Sequence, residues 1–217
     1  MERFYPVFLR IKDQLCIVVG GGTVATRKVK GLLRDGAKVT VISPQVSEEL
    51  QKAAEQGEIV WHKREYRSGD LRDAMLVYAA TNVKDINRLV CRDAEAASIL
   101  VNAIDDQELC NFIVPSRVEQ GRLQIAISTS GASPAFTQYL KKDLEKQFGN
   151  EYDLFLEWMQ ILRNWLLAHE SSEQRRKEIL HQVIQSSVLS LLSEGRLAEA
   201  REQFHSYVGE AIITVEV

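Results

Sequence analysis

A glycine-rich turn between an apolar run and an amphipathic stretch limits the fold of this chain more than any other part of the sequence. The sequence LCIVVGGGTVA runs from Leu15 to Ala25 and contains the pattern GxGxxA. In this pattern Gly20 permits a tight turn, Gly22 lets the backbone approach a pyrophosphate, and Ala25 lets a helix pack closely on the strand. Free amide groups at the start of that helix attract an anion. Strand, turn and helix together predict a dinucleotide-binding unit.

Short β-branched runs alternate with longer amphipathic stretches from residue 14 to about residue 100. This alternation is typical of parallel strands joined by crossover helices, so we predict an α/β fold with a Rossmann-like, doubly wound parallel sheet. The predicted strands cover residues 15–19, 38–42, 58–62, 75–79 and 99–101. The predicted helices cover residues 24–34, 47–56 and 84–97.

The pattern changes after residue 110, where a second structural unit is expected. Residues 111–117 and 123–128 read as the strands of an antiparallel hairpin. Ser133 precedes Pro134 as a helix cap, and Gly149 ends the predicted helix near residue 148. Helical periodicity then continues to about residue 204. We therefore predict a nucleotide-binding domain over 1–110, a small α+β dimerisation and substrate region over 111–148, and a C-terminal helical domain over 149–217.

Composition narrows the functional classes. The chain has 217 residues, 45% of them hydrophobic, and a net charge of −3 from 27 basic and 30 acidic side chains. This balance gives no general attraction to nucleic acid. Three scattered cysteines argue against a disulfide scaffold and a zinc site, and no apolar run reaches the about 18 residues of a membrane span. A cytoplasmic protein without a metal site or a membrane segment is expected.

The second predicted strand ends without the acidic residue that often holds the ribose 2′-hydroxyl about 20 residues after the glycines. A neutral Ser43 occupies roughly that place, and no arginine lies immediately beside it to favour a 2′-phosphate. NAD is therefore our preferred cofactor, although the residues do not exclude NADP. Besides the two glycines, the predicted cofactor-contacting residues are Thr23, Val24, Ser43, Pro44 and Gln45.

Three stretches resemble one known family. They are VVGGGTVATRK from Val18 to Lys28, VNAIDD at 101–106 with CNFIVPS at 110–116, and ISTSGASP at 127–134. In order and spacing they are similar to the precorrin-2 dehydrogenases of the siroheme-synthase family, over about residues 4–144. The last third matches only in being helical. Because some members carry a fused methyltransferase domain, a chain of this length resembles the stand-alone form.

The resemblance implies oxidation of precorrin-2, a tetrapyrrole, to sirohydrochlorin in siroheme biosynthesis, with NAD accepting a hydride. It also implies a homodimer built through the region after the nucleotide domain. Two alternatives stay open: a bifunctional enzyme that also inserts iron, and a non-catalytic module that senses NAD. The four histidines, in no paired spacing, give the ferrochelatase alternative no independent support.

The resemblance also assigns site residues. Asp105 matches the family's essential aspartate and follows a predicted strand at the sheet edge where α/β proteins bind ligands. From the residues alone, an Asx turn at Asp105 and Asp106 is the competing interpretation. Asn102 either orients a ring substituent or bonds neighbouring backbone. Hydroxyls before a helix start suit carboxylates, and the predicted substrate-binding residues there are Ser128, Thr129, Ser130 and Gly131.

Overall fold

The computed structural model describes residues 4–104 and 106–208. The chain divides into two compact units, Met1–Val114 and Pro115–Val217. Each unit has its own hydrophobic core. The three-part functional division at residues 110 and 148 stays a prediction.

The first unit contains a five-stranded parallel sheet, which confirms the predicted doubly wound fold. Its strand order is β3-β2-β1-β4-β5. Because helices and loops cover both faces, the central strands are apolar on both sides. The strands are β1 (Leu15–Val19), β2 (Lys38–Ile42), β3 (Ile59–His62), β4 (Leu76–Ala79) and β5 (Leu100–Ala103).

Three helices connect these strands and pack on opposite faces of the sheet. Helices α1 (Thr23–Arg34) and α2 (Glu48–Glu55) share one core cluster with alternate residues of the central strands, whereas α3 (Lys84–Ala96) packs in the other cluster. The chain moves outward from β1 to β3 and then returns to pair β4 with the opposite side of β1. This reversal creates a switch point at the carboxyl ends of β1 and β4, where ligands of such sheets bind.

The second unit begins with an antiparallel hairpin and continues with helices. Its helical core is formed around the fully buried side chains of Trp158, Leu162 and Phe204. This core explains the broad apolar stripe of the sequence after residue 151. The elements are β6 (Ser116–Gln120), β7 (Leu123–Ile127), α4 (Pro134–Gln147), α5 (Glu151–His169), α6 (Glu173–Gln185), α7 (Val188–Ser193) and α8 (Leu197–Val208).

The prediction of a strand over 111–117 is wrong for its first part, because β6 begins only at Ser116. Asn111 bonds the edge of β5 instead. Its Oδ1 accepts from the Val101 amide at 2.7 Å, and its Nδ2 donates to the Ile99 carbonyl at 3.0 Å. An asparagine side chain can satisfy backbone groups in this way, so the residues after β5 continue beside the first sheet rather than joining the hairpin.

Candidate functional site

A cavity of about 650 Å³ opens at the carboxyl ends of the central strands of the first unit. This size lies within the usual range of small-molecule and cofactor sites. Its walls come from the glycine-rich turn after β1, the segment after β2, the residues that follow β3, and the segment after β4. The lining residues are 19–23, 42–47, 65–66, 80–83 and 86.

The three glycines of the turn have different reasons to lack a side chain. Gly20 has φ +121°, and a Cβ there would lie 2.2 Å from the Ala80 carbonyl oxygen. A Cβ on Gly21 would lie 2.1 Å from the Gln45 carbonyl oxygen. A Cβ on Gly22 would meet no protein atom within 4 Å. The first two glycines therefore let protein segments approach each other, whereas Gly22 leaves space for a ligand.

The start of α1 faces this open space without a side-chain cap. Gly22 is the N-cap residue and contributes no capping hydrogen bond. Buried Thr26 supports the turn, because its Oγ1 donates to the Gly22 carbonyl at 3.0 Å and lies 2.8 Å from Ser47 Oγ. The Ser47 amide in turn donates to the Gly21 carbonyl at 2.8 Å. A helix start with uncapped amides suits the pyrophosphate of a dinucleotide, so the residues present fit that cofactor.

Ser43 lies at the end of β2, as the sequence predicts, and lines the cavity. Its hydroxyl donates to the Gln45 carbonyl at 2.6 Å, which shapes the turn through Pro44. Its carbonyl accepts from Trp61 Nε1 at 2.9 Å. The position therefore carries a neutral hydroxyl that is already engaged, and no carboxylate.

The segment after β4 forms the opposite wall and was not predicted from the sequence. Buried Asn87, on α3, fixes it: Asn87 Oδ1 accepts from the Thr81 amide at 3.1 Å, and its Nδ2 donates to the Thr81 carbonyl at 2.9 Å. Only the pairing of β4 with β1 brings Thr81 to the glycine turn. The polar pair Thr81-Asn82 directly after an apolar strand was the one available signal.

The end of β5 carries the other predicted site residues of this unit. Asn102 Nδ2 donates to the Phe112 carbonyl at 3.1 Å, so its amide nitrogen is used within the fold. The thiol of Cys110 accepts from the Ala103 amide at 3.1 Å, and burial raises its pKa. The Ile104 amide donates to the Ala79 carbonyl at 3.0 Å. Asp105, the predicted catalytic residue, lies outside the described residues, and its role stays a prediction.

The predicted substrate-binding loop belongs to the second unit, between β7 and α4. Ser128 Oγ accepts from the Ser130 amide at 3.0 Å, and Thr129 Oγ1 accepts from the Ser133 amide at 3.1 Å. Ser133 Oγ caps α4 by accepting from the Phe136 amide at 3.2 Å. Ser130 and Gly131 both have positive φ, +51° and +84°. The loop thus has a defined conformation at the start of a helix, while its substrate contacts stay predictions.

The cavity unites most of the predicted cofactor residues. Gly20, Gly22, Thr23, Ser43, Pro44 and Gln45 all line it, whereas Val24 lies in the first turn of α1 outside the lining set. Two residues after β3, Glu65 and Tyr66, line it as well and were missed. The Tyr66 hydroxyl donates to Asp93 Oδ2 at 2.8 Å, and burial raises its pKa.

Residues 4–104 and 106–208 contain no group of three or more His, Cys, Asp or Glu side chains placed to hold a metal ion. Within the same ranges, no helix combines the length and the apolar character that crossing a bilayer requires.

Several known proteins are similar to this chain. The siroheme synthase of Nitrosomonas europaea is 34% identical over 210 residues, which are 96% of this chain and 43% of the relative. That of Thioalkalivibrio sulfidiphilus is 35% identical over 199 residues, 92% of this chain and 41% of the relative. The chain thus spans less than half the length of these relatives. The solved structure of "SirC, precorrin-2 dehydrogenase" is 31% identical with a TM-score of 0.75, covering 94% of this chain and 100% of that one.

The sheet order, the glycine turn and the cavity define a Rossmann-type, NAD(P)-binding protein. In agreement, a family described as "Putative NAD(P)-binding" matches residues 7–116, and one described as "Sirohaem biosynthesis protein central" matches residues 120–147. The chain belongs to the family that contains these siroheme synthases and SirC.

Proposed function

We propose that the chain is an NAD-dependent dehydrogenase that oxidises precorrin-2 to sirohydrochlorin in siroheme biosynthesis. The observation that carries the proposal is the similarity to SirC, a precorrin-2 dehydrogenase, over the whole length of that protein. The cavity supports it independently, because its glycine turn and uncapped helix start suit a dinucleotide. Cofactor, substrate, dimer and cytoplasmic location are all parts of this proposal.

The nicotinamide ring, when bound, supplies the hydride acceptor. The chain's own residues bind and orient it. Gly22 and the first amides of α1 would hold the pyrophosphate, while Gly20 keeps the turn against Ala80. Asn87 fixes Thr81 on the opposite wall of the cavity.

Loss of a hydride from a saturated ring carbon must be accompanied by loss of a proton, so the site needs a base or a stabilising charge near that carbon. We assign this role to Asp105. The residue follows β5 by two positions, directly after Ile104, whose amide bonds the last residue of β4. A carboxylate at this position would accept the proton that accompanies hydride loss, so that the substrate loses two electrons and two protons in all, one proton within the hydride and one to the carboxylate.

Precorrin-2 is rich in carboxylates, and the loop from Ser128 to Ser133 is the part of the second unit that suits them. The start of α4 carries partial positive charge, and the hydroxyl hydrogens of Ser128 and Thr129 remain available because both oxygens act as acceptors within the loop. We assign the loop to binding substrate carboxylates. We assign Asn102 separately to a polar ring substituent that donates a hydrogen bond, because its side-chain Oδ1 can only accept one.

The test is turnover by the purified chain supplied with precorrin-2 and NAD, followed by NADH formation and by the tetrapyrrole absorption spectrum. We expect Asp105→Ala to lower kcat by about 10²–10⁴-fold while leaving NAD affinity unchanged. Asp106→Ala removes the adjacent charge and serves as the matched control, with kcat close to that of the wild type.

Two outcomes would contradict the proposal. Folded protein that binds NAD but turns over no precorrin-2 would favour the NAD-sensing alternative, and an unchanged kcat in Asp105→Ala would remove the assigned base. Supplying sirohydrochlorin with ferrous or cobaltous ion, without NAD, tests metal insertion separately. Sedimentation analysis of the same sample tests the proposed homodimer.

A further inference from the structure

At the end of β2 the cavity lacks the charged residue that usually discriminates NAD from NADP. Dinucleotide sites that select NAD usually place a carboxylate on the ribose hydroxyls, and sites that select NADP place a cation on the 2′-phosphate. At the end of β2 this chain has Ser43, whose hydroxyl is engaged by the Gln45 carbonyl. The usual position therefore supplies neither group.

The segment after the neighbouring strand β3 brings an acidic residue to the same cavity. Glu65 lines the cavity together with Ser43. The backbone explains why: the Ser43 amide donates to the His62 carbonyl at 3.2 Å, which ties the end of β2 to the end of β3. Glu65 follows His62 by three residues, and the next side chain, Tyr66, is buried in the core beside Ile42.

Glu65 is exposed, and its carboxylate makes no hydrogen bond or ion pair with any residue in the described ranges 4–104 and 106–208. Among the lining residues of the cavity it is the one that carries a charge. A free carboxylate can accept two hydrogen bonds from a pair of ribose hydroxyls, and it repels a phosphate.

The basic side chains beside Glu65 face other groups. The guanidinium of Arg64 forms a two-pronged ion pair with Asp70, at 2.7 and 2.8 Å, and holds the pKa of that carboxyl below its usual value. The ammonium of Lys63 lies over the Trp61 ring, 5.5 Å from its centroid. Neither residue lines the cavity, and Arg67 does not line it either, so the charge among the lining residues is negative.

We propose that Glu65 performs the ribose recognition that Ser43 lacks, and that it makes the cavity select NAD over NADP. The carboxylate accepts from the ribose hydroxyls of NAD and repels the 2′-phosphate of NADP. The inference rests on the proposed function only in requiring that a dinucleotide binds in this cavity. The specificity-determining residue then comes from the segment after β3 rather than from the segment after β2.

The experiment measures binding to the full chain by isothermal titration calorimetry, without turnover. NAD and NADP are titrated into the wild type, Glu65→Gln and Glu58→Gln. Both variants lose one exposed carboxylate of nearly the same sequence region, but Glu58 precedes β3 and lies at the opposite end of that strand. Adenosine and adenosine 2′-monophosphate, titrated in the same way, report on the 2′-position alone.

We expect the wild type to bind NAD more tightly than NADP, and Glu65→Gln to shift the ratio of the two Kd values by about tenfold toward NADP. The same variant should bind adenosine 2′-monophosphate more tightly, and raised salt should weaken the discrimination of the wild type. Glu58→Gln should keep the wild-type ratio within about twofold, since surface charges this far apart are screened.

A ratio that does not move in Glu65→Gln, or that moves equally in Glu58→Gln, would overturn the inference and leave the proposed function intact. A wild type that prefers NADP would overturn it as well. A folded wild type that binds neither dinucleotide would refute both the inference and the proposed cofactor site, so the two failures are distinguishable.

Discussion

Alanine at Gly22 and alanine at Gly20 should have different effects, because Gly22 faces the open cavity and Gly20 faces protein. Gly22 has φ −80° and ψ −172°, which alanine adopts freely, and its added methyl would meet no protein atom within 4 Å. Gly20 has φ +121°, and its added methyl would lie 2.2 Å from the Ala80 carbonyl oxygen. We therefore expect Gly22→Ala to impair binding and Gly20→Ala to impair folding.

The magnitudes follow from these geometries. At Gly22, alanine is a poorer N-cap than glycine but reduces the freedom of the unfolded chain, so the free energy of unfolding should change by less than about 0.5 kcal/mol. Its methyl occupies space needed for close approach of the pyrophosphate, and NAD affinity should fall about tenfold or more. At Gly20, alanine is disfavoured by the positive φ and by overlap with the backbone, which together should lower the free energy of unfolding by about 2–5 kcal/mol.

Urea denaturation and calorimetric titration with NAD, performed on both variants, separate the two effects. If Gly22→Ala bound NAD like the wild type, the open space at Gly22 would not be the pyrophosphate site. If Gly20→Ala unfolded at the wild-type urea concentration, the backbone around Ala80 would adjust to the added methyl group.

Two further predictions concern the second unit. The pKa of Asp153 is lowered, first because the Arg122 amide donates to its carboxylate at 2.8 Å. The ionised carboxylate therefore stabilises the folded state fully above its ordinary pKa of 3.8, and this stabilisation is lost as pH falls through the folded pKa. Asp153→Asn should reduce the acid sensitivity of urea unfolding. Trp158 is 1% exposed and packs 5.3 Å from the Phe204 ring, but its Nε1 has no partner among the described residues. Trp158→Ala should therefore lower the free energy of unfolding by about 3–5 kcal/mol and Trp158→Phe by less than about 1.5 kcal/mol, as measured by thermal unfolding. Equal losses in the two variants would mean that the indole nitrogen is bonded.

The sheet could be predicted because each strand combines apolar residues with turn signals on both sides. The strands at Leu15–Val19 and Lys38–Ile42 have the predicted bounds, and the other three differ by one or two residues at their ends. The prediction that the hairpin begins at residue 111 was wrong for a physical reason. Residues 111–115 have strand-like composition, but the side chain of Asn111 bonds β5, a long-range contact that no local pattern contains.

Only the part of the cavity formed by residues close to the glycine turn in the sequence could be predicted. The glycine turn and the end of β2 lie within 30 residues of each other and follow a recognised pattern. Thr81 and Glu65 reach the cavity through strand pairing, and the buried side chain of Asn87 holds Thr81 in place, so these positions depend on sheet order. Sequence spacing alone could not distinguish Glu65 from the other exposed carboxylates.

The outer strand of a sheet exposes backbone groups that can recruit foreign strands. Asn111 engages three of those groups at and just before β5. Its side chain bonds the Val101 amide at 2.7 Å and the Ile99 carbonyl at 3.0 Å, and its own amide donates to the Val101 carbonyl at 3.1 Å. An incoming peptide would have to displace this side chain before it could pair at Ile99 and Val101. The Asn111 side chain, which made the predicted start of the hairpin wrong, thereby hinders the addition of a further strand at the β5 edge of the nucleotide-binding sheet.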